Sequence, residues 1–153
     1  MRLPLLSPYL MTWAVFTGGA PEPQAQSGLR SAVLPVTLEA ARKVTGPAGE
    51  KLGYALWHTV VEMGYRCDNM EAYSTTFPAL MRDQLKWDLK NNGYTYIVVE
   101  EMNQPSGNQT VWRAQKDEAT AIGLLMEFPH KNEQNAKGTL TFCEATKLAG
   151  PRR

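Results

Sequence analysis

The sequence predicts an α+β domain with two main helices packed on one face of a four-stranded, mainly antiparallel meander sheet. Three observations carry this expectation. Two stretches, Glu50–Tyr65 and the run from Pro78 to Asn91, repeat apolar residues at three- and four-residue steps, the helical period. Four strand-like segments then follow with no further helix between them. Their connections are mostly short and polar, which favours antiparallel neighbours, since a parallel pair needs a long crossover.

The chain divides by composition into a leader (residues 1–25), a lead-in (26–49), a domain (50–146) and a tail (147–153). Arg2 precedes the apolar run Leu3–Phe16, and the small and Pro-rich stretch Thr17–Ser27 follows it. A charged start, a short apolar run and a small-residue exit form the pattern of a cleaved signal peptide, with cleavage placed after Ala25. The run is too short to span a bilayer as a helix, which takes about 20 residues. The alternative is that Leu3–Phe16 packs onto the domain, in which case the protein stays in the cytoplasm. No Cys lies near this region to carry a lipid.

In the lead-in, Gly28–Pro35 reads as extended, and Pro35 argues against a central strand. Thr37 is placed to cap a short helix over Leu38–Val44. Thr45–Gly49 reads as a turn and a hinge to the main body.

The first main helix, Glu50–Tyr65, carries Leu52, Ala55, Leu56, Thr59, Val60 and Met63 as one stripe. Lys51, Tyr54, His58 and Tyr65 fall on the other side, and Trp57 and Val61 lie on a flank. Arg66–Thr75 is polar and reads as a loop. Pro78 suits the first turn of the second helix, where its missing N–H costs nothing. Phe77, Met81, Leu85 and Leu89 step by four as its buried stripe, with Leu80 and Trp87 on a flank. Asn91-Asn92-Gly93 ends the helix, because Gly93 can take the left-handed conformation of a C-cap.

The strand segments are Tyr94–Met102, Gln109–Gln115, Ala119–Phe128 and Gly138–Ala145. The first is apolar on both faces, which places it near the middle of a sheet with cover on each side. The third and fourth alternate in the half-buried pattern.

Cys67 and Cys143 are the only cysteines among 153 residues. In an exported protein the even count predicts a disulfide. It would tie the helical layer to the last strand and close a loop of about 75 residues, contributing about 2–4 kcal/mol by the loop-entropy argument. In a cytoplasmic protein the two would instead be buried thiols.

Chemistry is sparse. Sixteen basic against 15 acidic residues leave a net charge of +1 with no basic block, which argues against a nucleic-acid partner. His58 and Glu62 sit one helical turn apart and, with His130 in the Pro129–Lys137 loop, form a candidate metal set or acid–base pair. His-Thr-Val-Val-Glu is not a zinc-protease motif, and such pairs more often lie solvated on a surface. No nucleophile elbow or phosphate loop occurs, and no cofactor is expected. Tyr54, Trp57, Tyr65 and Trp87 lie off the main helical stripes. They either pack beneath the N-terminal segment or form a binding patch. Asn108-Gln109-Thr110 matches a glycosylation sequon, which has meaning only in a eukaryotic secretory pathway.

The leading expectation is a small exported, non-enzymatic protein that binds a protein partner or a small apolar ligand. The alternative is a small metal-assisted or acid–base enzyme that uses His58 and Glu62.

Overall fold

The computed structural model describes residues 28–128 and 137–149. The elements run β1 (Leu29–Arg30), β2 (Thr37–Leu38), β3 (Ala41–Lys43), α1 (Gly46–Glu62), β4 (Tyr65–Thr75), α2 (Pro78–Asn91), β5 (Thr95–Gln104), β6 (Gly107–Lys116), β7 (Ala119–Phe128) and β8 (Lys137–Lys147). One antiparallel sheet has the six-stranded order β3-β4-β8-β7-β6-β5, and β1 pairs with β2 beside it.

The expected four-stranded sheet is therefore a six-stranded one. The missing strands come from segments whose composition hides them. Arg66–Thr75, read as a loop, forms most of β4. Its polar residues are accommodated by a bulge, because one extra residue lies between Asp68 and Glu71 where the register against β8 shifts. Asn69 takes the left-handed region there (φ 52°). The extra residue reverses the side-chain parity of the strand. Cys67 thereby points to one face of the sheet while Glu71 and Tyr73 point to the other. The short helix expected over Leu38–Val44 is also absent: Thr37–Leu38 and Ala41–Lys43 are strands, with Ala40 at φ 58° between them.

The helices do not share a face. On β7, Ala121 and Leu125 point into one core with Met81, Leu85 and Leu89 of α2. Ile122 and Leu124 point into a second core with Leu56 and Val60 of α1. The sheet thus lies between two helical layers. Both apolar stripes were legible in the sequence, apart from Phe77, which stays exposed. The side of the sheet each stripe covers depends on connections, which no helical period encodes.

The α2 face is spanned by a row of aromatic rings. Tyr73 on β4 stacks on Phe142 of β8 at 5.9 Å, Phe142 meets Trp112 of β6 at 6.1 Å, and Trp112 stacks on Tyr96 of β5 at 5.6 Å. β7 lies between Phe142 and Trp112, and its residue in that register is Gly123. A Cβ there would clash with the indole of Trp112, so glycine is what lets that ring lie across the strand.

The lead-in packs over the β4 end of the same face and buries Leu34, Val36 and Leu38. Buried Glu71 holds it there. Its carboxylate accepts from Ser31 Oγ at 2.6 Å, from Ala32 N–H at 3.0 Å and from Tyr73 Oη at 2.9 Å, and Lys43 Nζ lies 3.5 Å away. Burial alone would raise the Glu71 pKa, but these hydrogen bonds and the lysine outweigh it and hold the carboxyl below its ordinary value. The same carboxylate, with burial as the larger cause, pushes the Tyr73 phenol up. Thr37 N–H donates to Asp88 of α2, which closes the lead-in against that helix.

Cys67 and Cys143 form a disulfide with Cα atoms 5.6 Å apart. It does not join helix to sheet as expected. Cys67 lies in β4, so the bond links two neighbouring strands beneath α1.

β5 departs furthest from expectation. It stands at the end of the sheet, not in its middle. Ile97, Val98, Val99 and Met102 are 39–46% exposed. α2 reaches β5 from one side, while α1 lies over β4, β8 and β7.

Candidate functional site

Gly46–Glu62 forms a helix because its apolar residues repeat at helical spacing. Pro47 fits its first turn, so the stretch expected as a turn and hinge is helical, and the helix ends at Glu62 and not at Tyr65. The stripe of Leu56 and Val60 is spent on the core, which leaves Tyr54 and Trp57 on the outer flank at 65% and 45% exposure. Their rings stack at 6.0 Å, and the His58 ring lies 6.3 Å from Tyr54 and 6.5 Å from Trp57. Beside them, Met70 of the β4 bulge lies against the helix at Gly53, where a Cβ would stand 2.6 Å from its sulfur. Glycine at position 53 thus makes room for the thioether next to the aromatic pair.

Between α1 and β4 these residues border an open groove of about 530 Å³. Its lining includes Tyr54, Trp57 and Met70 together with Val44 and Ala72; the Lys43–Glu71 ion pair belongs to the opposite, lead-in face of β4. An open groove with an apolar wall suits an apolar or aromatic side chain. A larger cavity of about 740 Å³ lies at the Ala40–Lys43 end of the sheet. Phe128 and Lys137, which flank the undescribed residues 129–136 in sequence, are among its lining residues, and it carries no assignment.

The four aromatics expected to form one patch are divided by the fold. Tyr54 and Trp57 come together. Trp87 lies on α2, across the sheet, and is 64% exposed. Tyr65 is in β4 and not on the helix; it is buried in the α1-side core, with Lys147 Nζ 6.0 Å from its ring. Met70 and Gly53 were not foreseen. Met70 sits in the segment read as a loop, and nothing local to it marks a partner on α1.

His58 Nδ1 lies 3.4 Å from Glu62 as helical spacing predicts, with both side chains more than half exposed. Among the described residues no third ligand joins them, and no group of three metal-ligating side chains occurs. His130 lies outside the described residues. Among the described residues no helix is long and apolar enough to cross a membrane.

No family model, curated protein or solved structure matches this chain.

Proposed function

We propose that this chain is an exported, non-enzymatic binding module that takes an apolar or aromatic side chain of a protein partner in the α1–β4 groove. The observation that carries the reading is the stacked pair Tyr54 and Trp57, held in solvent beside Met70. Exposed, pre-positioned aromatics lose little conformational entropy on binding and are typical anchors of protein interfaces. The groove's openness favours a side chain presented by a protein over an enclosed small molecule. Export is supported by the disulfide, which persists in oxidising compartments, and by the signal-like residues 1–25.

Selection of displayed peptides on the full chain tests the binding reading, with Trp57→Ala as the counter-target. Peptides rich in apolar residues should be retained by the wild type and lose at least tenfold in affinity on Trp57→Ala. His58→Ala/Glu62→Ala should leave that affinity unchanged. Enrichment that ignores Trp57 removes the groove as the site.

A further inference from the structure

We propose that two copies of this chain associate through β5, pairing it antiparallel with itself about a two-fold axis between Val98 and Val99. Two six-stranded sheets would then run into one continuous sheet.

The outer edge of β5 has no strand beside it among the described residues. Ten residues of extended backbone there present N–H and C=O groups to solvent. The middle of the strand is apolar and bare, with Ile97, Val98, Val99 and Met102 all exposed. Natural edge strands are usually short or studded with lysine, and this one is neither.

The second copy is singled out by parity and charge. β5 has a bulge between Val98 and Glu100, where its register against β6 shifts. Before the bulge, Tyr96 and Val98 lie on the α2 side; after it, Glu101 and Asn103 do, as their partners on β6 show. Paired residues of an antiparallel ladder must share a face. Self-pairing about an axis at the bulge meets this condition along the strand, placing Thr95 opposite Met102, Tyr96 opposite Glu101 and Ile97 opposite Glu100. An axis elsewhere sets residues of opposite faces against each other over part of the strand. Bulges on edges ordinarily blunt pairing; on a two-fold axis the same bulge selects one register.

Charge agrees with that register. Lys86 of α2 reaches over the Tyr96 ring, with Nζ 5.7 Å from its centroid. The residue brought opposite Tyr96 is Glu101 of the second copy, so each copy sets a lysine near the other's carboxylate. The two-fold repeats the contact, as an isologous interface requires.

Sedimentation of the full chain over a concentration series tests the proposal. A reversible dimer is expected. Lys86→Glu and Glu101→Lys should each weaken it at least about tenfold, and the two together should restore it to near wild type. Val99→Lys, which sets two lysines at the axis, should abolish it. These positions are exposed, and circular dichroism checks that each variant is folded. A chain that stays monomeric throughout, or that pairs with a foreign strand but not with itself, overturns the proposal. A dimer indifferent to Val99→Lys, or single losses that the double exchange fails to restore, also overturn it.

Discussion

The two ends of the sheet are built differently. At the β4 end the strand is covered on both faces, by α1 on one and by the lead-in on the other. It is also bonded covalently to β8 through Cys67–Cys143. At the β5 end the strand is more apolar in sequence, yet among the described residues it has partial cover on one face and a free edge. The polar strand is buried and the apolar strand is bare. Burial here follows from the order of the strands and not from their composition. Glu71 can be buried because four groups meet its charge, and Ile97 and Val99 stay exposed because no described layer reaches them. The polar end is therefore where substitution should unfold the protein, and the apolar end where it should alter association alone.

The largest effect is expected where the two ends are joined. Trp112 links β5 to Phe142 and Tyr73 across Gly123. Trp112→Ala should lose about 3–5 kcal/mol of stability in denaturant titration, since it removes a fully buried indole. An effect under about 1 kcal/mol would mean that the row of rings does not tie the ends together.

Next comes the disulfide. Cys67→Ser/Cys143→Ser should destabilise by about 2–4 kcal/mol, because the bond closes a long stretch of chain in the unfolded state. Hydrogen exchange should rise first in β4 and β8 and not in β5. Uniform loosening would contradict the contrast drawn between the ends.

A smaller, pH-dependent effect is expected at Glu71. Its folded pKa lies below the ordinary 4.5, so its contribution is present above that value and lost as pH falls through the folded value. Glu71→Gln should cost about 1–3 kcal/mol near neutral pH. The gap between wild type and variant should close as the medium is acidified below pH 4.5. A gap that persists unchanged in acid would show that the charge does not hold the lead-in. The smallest effect belongs to the bare edge: Ile97→Thr should change monomer stability by no more than about 0.5 kcal/mol.

Local signals in the sequence were sound where the causes are local. Gly93 does end α2, at φ 87°, because a left-handed position favours a residue without a Cβ. Leu56, Val60, Met81, Leu85 and Leu89 are buried as their period requires, and Ala119–Phe128 is a strand with the residues expected. Tyr54 and Trp57 could be nominated because leaving a helical stripe is a local property. β4 could not be read, because its buried Glu71 is satisfied by Ser31, Ala32 and Lys43 from other parts of the chain and by Tyr73 two residues on.

By itself the sequence determined the two amphipathic helices, the stop of the second, the last four strands and the pair of cysteines available to bond. Only the tertiary structure decided that the helices lie on opposite faces, that β8 sits in the middle, and that β5 stands at the edge. Periodicity records which side of an element is apolar, whereas strand order depends on which segments distant in sequence meet. The α1–β4 groove belongs to the second kind: its aromatics were legible on one helix, and Met70 reached them only through the bulge that the fold places beneath it.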